Sequence, residues 1–252
     1  MLQWEDEGIV LATRPHGENA LIVQLLTREH GRHAGLVHGG QGRKQRLVFE
    51  TGNRVAAQWR ARLADHLGTL SAELLHGHAA RVIADAERLA CLSAAAALAE
   101  ASLPEREPHP QAFAGLAAVL ESLDADRGWA VGYVEWELML LAELGFGLDL
   151  SRCAATGETT DLVYVSPRSG HAVSAKAGEP YRDKLLRLPH FLAVRAEHNL
   201  PSPQDVLDGL ALTGYFLERR VFEPQDRTLP PARARFVDLL ERMAKISREQ
   251  SI

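Results

Sequence analysis

Residues 7–38 read EGIVLATRPHGENALIVQLLTREHGRHAGLVH, and the reading of this stretch decides the fold. Glu7–Thr13 is a short apolar run rich in β-branched side chains. It stops at Arg14-Pro-His-Gly-Glu-Asn19, a turn signal because Pro15 fixes φ and Gly17 tolerates positive φ. Ala20–Thr27 is strand-like again and ends at Arg28-Glu-His-Gly-Arg32, after which His33–His38 makes a third strand. Asn53–Arg62 and Gly68–Leu75 alternate well enough to be a fourth and a fifth. Short strands joined by turns, with no long helix between them, predict a small antiparallel barrel or sandwich. Five strands at this size suit an OB-type barrel or an SH3-like one, and periodicity alone does not choose.

After about residue 80 the period changes. Arg81–Ser102 is rich in Ala and Leu and reads as a helix, closed by Leu103-Pro-Glu-Arg-Glu-Pro-His-Pro110, a proline-rich linker. Gln111–Leu123 and Ala130–Leu144 read as two more helices. Val131, Val134, Leu138 and Leu141 fall on one stripe of the latter, and Gly145 supplies the stop. A loop-rich insert at about 149–180 precedes Tyr181–Leu188 and a final pair, Pro203–Phe222 and Ala232–Ile246. The expected architecture is α+β: a β-barrel domain over 1–80, then a mostly α-helical domain over 81–252.

Hydrophobic residues at 46% and charged residues at 24% are the balance of an ordinary soluble protein, with a formal net charge of −5. That sum hides a dipole: residues 1–80 carry +1 and residues 81–252 carry −6. Between Arg28 and Arg62 eight cations (Arg28, Arg32, Arg43, Lys44, Arg46, Arg54, Arg60 and Arg62) face only Glu29 and Glu50. A local +6 of this kind can draw an anionic polymer to one face of the first domain, which favours the OB type.

Leu36-Val-His-Gly-Gly-Gln-Gly-Arg-Lys-Gln-Arg-Leu47 lies at the centre of that region. It lacks the Gly-Lys-Ser/Thr of a phosphate-binding P-loop and the third glycine of a dinucleotide fingerprint. What remains is a flexible, donor-rich loop suited to an extended nucleic-acid backbone. Few aromatic side chains lie among the cations to stack on bases, only Phe49 and Trp59, so weak sequence dependence is expected.

No catalytic constellation is legible. Seven of the eleven histidines fall in the first eighty residues. His76-x-His78 would place two metal ligands on one strand face, but no Cys or HExxH joins them, so solvated or hydrogen-bonded histidines are expected. Glu5/Asp6/Glu7 and Glu135/Glu137 read as solvated faces. No serine sits in a nucleophile elbow and neither Cys91 nor Cys153 has a nearby His. A non-enzyme with no cofactor is expected. Two distant cysteines, the absence of a signal-like start in MLQWEDEG and the lack of a long apolar run predict a cytoplasmic chain.

In the insert, Cys153, Thr156, Ser174 and Ala177 occupy the spacing of a zinc ribbon's two C-x₂-C pairs. One thiolate cannot close a tetrahedral site, so a metal-free zinc-ribbon-like insert is expected.

The order of these features resembles the RecO family of bacterial recombination mediators. The resemblance is carried by the Gly-Ile-Val-Leu strand, Arg14-Pro-His-Gly-Glu-Asn-Ala20, Thr27-Arg-Glu-His-Gly31, the Gly-rich loop, and Leu162-Val-Tyr-Val-Ser-Pro-Arg-Ser-Gly170. It implies an N-terminal OB fold, a C-terminal helical domain and, in some members, a four-cysteine zinc site from which three positions here depart. It implies binding of single- and double-stranded DNA, strand annealing, and association with RecR and with the C-terminal tail of the single-stranded-DNA-binding protein SSB. It further implies help in loading RecA, and a nucleoid-associated cytoplasmic place. The residues expected to meet DNA are Arg14, Arg28, Arg32, Arg43, Lys44, Arg46, Arg54 and Arg60. Without the resemblance, a generic OB module for RNA or tRNA and a His-based metallo-hydrolase are the competing readings.

Overall fold

A computed structural model of the chain describes residues 2–63, 65–125, 128–193 and 201–249. They pack as two compact units, 1–126 with 230–233 and 127–229 with 234–252. The change from strand to helix near residue 80 therefore falls inside the first unit.

In the first unit the strands are β1 (Leu2–His16), β2 (Ala20–Thr27), β3 (Gly31–Val37), β4 (Arg54–Ala61) and β5 (Thr69–His76). They form a closed barrel in the order β1-β2-β3-β5-β4, with β1 pairing on its other side to β4. One long strand can serve both partners because it is bent: Leu2–Ile9 pairs with β4, Gly8–His16 with β2, and a bulge interrupts the register between Val10 and Ala12. β4 alternates as a half-buried strand should. Val55, Ala57, Trp59 and Ala61 point into the core, while Ala56, Gln58 and Arg60 face out. The barrel closes where β3 and β5 meet in parallel at Leu36 and Thr69. Gly35 permits that approach, since a Cβ there would lie 2.5 Å from the Cβ of Leu70.

Between β3 and β4 the structure corrects the expected flexible loop: Arg43–Val48 is a short helix, α1. Its end is anchored by Phe49, buried in the barrel core, and by Val48 packed against that core. Asn53 Nδ2 donates to the Leu47 carbonyl at 2.9 Å.

Three helices complete the unit: α2 (His78–Val82), α3 (Ala86–Ser102) and α4 (Pro110–Ser122). Asp85 caps α3, accepting from the Glu87 and Arg88 amides at 3.1 and 3.0 Å. α3 packs on β1 and β2, its Ala-rich face allowing close approach. Gly8, Ile9, Val10 and Leu11 are consequently buried on both faces, which is why this strand reads as a continuous apolar run rather than an alternating one.

The proline-rich segment between α3 and α4 is no free linker. The Arg106 amide donates to the Arg32 carbonyl at 2.8 Å, and Glu105 forms a parallel bridge with Arg32. Gly31 is left-handed there, with φ +68°, and a Cβ on it would lie 2.0 Å from the Glu107 carbonyl oxygen.

The second unit holds α5 (Trp129–Glu143), β6 (Leu162–Val165), β7 (Ala172–Ser174), α6 (Ala175–Gly178), β8 (Leu186–Arg187), α7 (His190–Ala193) and α8 (Pro203–Phe216). α8 runs on as a π-helical turn to Phe222, and α9 (Pro231–Glu249) follows, its residues from Ala234 onward belonging to this unit. A capping box between Ser202 and Asp205 starts α8. The buried stripe of α5 centres on Trp129, Tyr133, Trp136, Glu137 and Leu140 rather than on Val131 and Leu138, because the aromatic rings take the interior. Tyr133 meets Phe236 of α9 edge-on at 5.0 Å. Glu137, expected on a solvated face, is fully buried and accepts from the Thr213 hydroxyl of α8 at 2.5 Å. The insert is less irregular than expected, since β7-β6-β8 form a three-stranded antiparallel sheet. The Tyr181–Leu188 stretch after the insert divides into the end of a 3-10 helix, Glu179–Lys184, and the strand Leu186–Arg187. Among the described residues no helix is long and apolar enough to cross a membrane.

Candidate nucleic-acid interface

The eight cations expected to meet DNA fall into two groups of four. Arg28 and Arg54 converge on Glu7 of β1. Arg28 Nη2 lies 2.5 Å from Glu7 Oε2, and Arg54 Nε donates to Glu7 Oε1 at 2.8 Å. Arg54 also pairs with Glu121 at the end of α4, and the Arg28 guanidinium sits over the Phe113 ring, 5.4 Å from its centroid. Arg32 donates from Nε to the Leu103 carbonyl at 2.8 Å and pairs with Glu105 at 3.2 Å. Arg14 pairs with Glu100 of α3 at 3.3 Å while remaining largely exposed. These four side chains latch the barrel to α3, α4 and the segment between them. A phosphate would have to compete with a carboxylate already in place.

Arg43, Lys44 and Arg46 project from α1, and Arg60 from the outer face of β4, all exposed and without an ion pair among the described residues. Arg62, just past β4, has the same character. It was absent from the expected set although it lies in the same cationic window. Gln41 fixes the start of α1. Its amide donates to the Asn19 carbonyl at 3.2 Å, and its side chain donates to the Gly17 and Ala20 carbonyls at 3.0 and 3.1 Å. The β1–β2 turn and the α1 cations are therefore one assembly, held at both ends. Arg60 pairs with Thr69, which pairs with Leu36, so the β4 cation lies two strand spacings, about 10 Å, from the end of β3.

The expected stacking platforms are a correction. Phe49 is 1% and Trp59 3% exposed, both within the barrel core. Trp59 Nε1 donates to the Leu67 carbonyl at 2.9 Å and its ring stacks on Trp4 at 5.6 Å. Neither can receive a base. Trp4, half-buried and stacked on His30 at 4.5 Å, is the more accessible ring. The acidic start is likewise committed: Asp6 accepts from the Glu29 amide at 2.8 Å and lies 2.9 Å from His30 Nδ1.

Two histidines of the first unit have depressed pKa values of about 4. His33 is lowered by burial and by the Arg106 charge, and His78 by burial and by its neighbour His76. Both are neutral near pH 7 and add nothing to the positive face.

The zinc-ribbon spacing in the second unit does not hold a metal's ligands. Cys153 is buried, and its Sγ accepts from the Ser174 amide at 3.3 Å. Burial pushes its thiol up, yet the hydrogen bonds it accepts, those from Ser174 foremost, together outweigh this and bring it down to about 6. Thr156 is exposed and donates to Glu158 at 3.0 Å, and Ala177 lies in α6. One sulfur and no second soft donor cannot make a closed zinc site. Here the turn at Cys153–Gly157 is held by backbone bonds, Gly157 N to Cys153 O at 2.8 Å and Cys153 N to Glu158 O at 2.7 Å.

Comparison with known proteins adds to this geometry. A family model described as "Recombination protein O N terminal" matches residues 1–78, and one described as "Recombination protein O C terminal" matches residues 83–230. The chain is 55% identical over 239 residues to the DNA repair protein RecO of Rhodospirillum centenum, covering 94% of each chain. It is 52% identical over 255 residues to the RecO of Rhodospirillum rubrum, covering 98% of this chain and all of that one. With the RecO of Phenylobacterium zucineum the identity is 50% over 245 residues, covering 97% of this chain and 100% of the relative.

Proposed function

The chain belongs to the RecO family of DNA repair and recombination proteins, and from that premise we propose that it is a DNA-binding recombination mediator without an active site. The barrel is of the OB type: the order β1-β2-β3-β5-β4, with the first strand shared between both halves, supports this reading. The observation that carries DNA binding is the presence of Arg43, Lys44 and Arg46, exposed and without an ion pair among the described residues, on a helix tied to the β1–β2 turn. Arg60 and Arg62 extend the positive surface along β4.

Binding of this kind is electrostatic. Each phosphate neutralised releases counterions, and five free cations on a single strand give a log–log salt slope of roughly −3 to −4. With the aromatic rings in the core, base identity matters little, as annealing of any complementary pair requires. A protein that shields two backbones at once lowers their mutual repulsion, so single and double strands are both ligands. RecR, the C-terminal tail of SSB and, indirectly, RecA are the protein partners, in a cytoplasmic, nucleoid-associated setting. The −6 balance of residues 81–252 suits that part of the chain to protein contacts better than to DNA.

Fluorescence anisotropy with labelled single-stranded DNA across a salt series tests the reading. Salt-dependent binding that matched RNA oligomers do not displace preferentially supports it. Salt-independent, millimolar binding overturns it, and stronger displacement by RNA replaces it with an RNA-binding module.

A further inference from the structure

His76 ends β5, Gly77 follows, and His78 opens α2, so the two histidines do not share a strand face as their spacing suggested. The turn nevertheless brings their rings together, with centroids 4.3 Å apart. Asp124, in the turn after α4, joins them. One ligand atom from each of His76, His78 and Asp124 lies within 4.8 Å of the others. Among the described residues no other group of three or more His, Cys, Asp or Glu side chains is disposed to hold a metal. Four-coordinate zinc at its usual bond lengths separates neighbouring ligand atoms by about 3.3–3.5 Å. Small side-chain rotations would close the remaining gap.

A second observation points to a ligand. His78 is 1% exposed, and its buried Nε2 has no hydrogen-bond partner among the described residues. An imidazole nitrogen in that position carries the desolvation penalty without the bond that would offset it, whereas a metal ion would use the lone pair of a neutral ring. His76 is half-buried and Asp124 exposed, so the cluster is open to solvent on one side. That leaves an entry path and a position for water.

We propose that His76, His78 and Asp124 form a binding site for a divalent transition-metal ion of the zinc class. Two imidazoles and one carboxylate suit Zn²⁺, Ni²⁺ or Cu²⁺ and not Mg²⁺ or Ca²⁺, which take all-oxygen shells. The ion would tie the end of β5 and the start of α2 to the end of α4, inside the first compact unit. This is a different place and a different ligand chemistry from the zinc-ribbon spacing around Cys153. The site has a competitor: Asp124 Oδ2 accepts from Arg81, which leaves Oδ1 for the ion. With that cation beside the carboxylate, the affinity expected is micromolar rather than nanomolar.

The test is zinc titration of the chelator-stripped full chain against a chromophoric indicator, with Co²⁺ absorption reporting the ligand set. One equivalent should bind, Mg²⁺ in excess should not displace it, and Cys153→Ser should leave it unchanged. His76→Gln and Asp124→Asn should each weaken binding at least tenfold, and both are accessible enough to spare the fold. Zinc at a hundred times its dissociation constant should raise the melting temperature by about 5 °C in the natural chain and not in Asp124→Asn. His78→Asn should also abolish binding, with circular dichroism checking that its buried position tolerates the change. No saturable binding, or one equivalent bound equally well by His76→Gln and Asp124→Asn, would overturn the proposal.

Discussion

Replacing Arg43, Lys44 and Arg46 together by Ala removes three exposed charges that pair with no acid among the described residues. Each phosphate neutralised on single-stranded DNA contributes about 0.7 to the log–log salt slope, so losing three contacts shallows it by about 2. At 0.1 M monovalent salt the same two logarithmic units mean roughly 100-fold weaker binding. Stability should hardly change, because the side chains are exposed and Ala favours helix, leaving each change under about 0.5 kcal/mol. Arg54→Ala is the matched opposite. It breaks the pairs with Glu7 and Glu121 and should cost about 1–3 kcal/mol. Its salt slope should move by less than one unit. The assays are anisotropy titrations from 50 to 300 mM salt and urea denaturation of both variants. If the α1 variant kept its slope while Arg54→Ala lost it, the division between free and latching cations would be refuted.

Three further outcomes are expected. Arg60→Ala with Arg62→Ala should shallow the slope by about 1.4 units, and an unchanged slope would take β4 off the DNA path. His33 and His78, held near pKa 4 in the fold against 6.5 unfolded, stay neutral while the unfolded chain takes up protons. Stability is therefore full above about pH 6.5 and lost as pH falls toward 4, by at most about 2 kcal/mol per histidine between pH 7 and 5. A flat urea midpoint over that interval would contradict the burial of both rings. Gly35→Ala forces a Cβ to within 2.5 Å of Leu70 Cβ at the barrel seam and should cost about 1–3 kcal/mol, read as a lowered melting temperature.

The strands were legible because their side chains obey a local rule. β4 alternates, β1 is apolar throughout where α3 covers its outer face, and Gly17 and Gly31 mark the turns between them. β1 nevertheless runs on through Arg14, Pro15 and His16, where a turn was expected, because Pro15 and His16 pair with Leu21 and Ala20 of β2. α1 was not legible. Six residues with three cations resemble a solvated loop, and only the tertiary anchoring of Val48 and Phe49 makes a helix of them. The sheet in the insert was hidden for a related reason: β7 and β8 are three and two residues long and draw their stability from pairing to β6. The candidate site was half legible. Counting charges finds the cationic window, but it cannot tell that Glu7 lies 47 residues from Arg54, or Glu100 86 residues from Arg14, and yet meets it. Aromatic residues among the cations suggested stacking, whereas strand alternation turns Trp59 inward. The third member of the His76–His78 cluster comes from a turn that sequence spacing does not connect to them.

The most direct measurement is annealing of complementary single strands, each coated beforehand with SSB, by the purified full-length chain. A mediator should speed duplex formation well above the protein-free control, more slowly at higher salt and with the α1 triple variant. A chain that bound bare strands yet left coated strands to anneal at the control rate would contradict the proposed function.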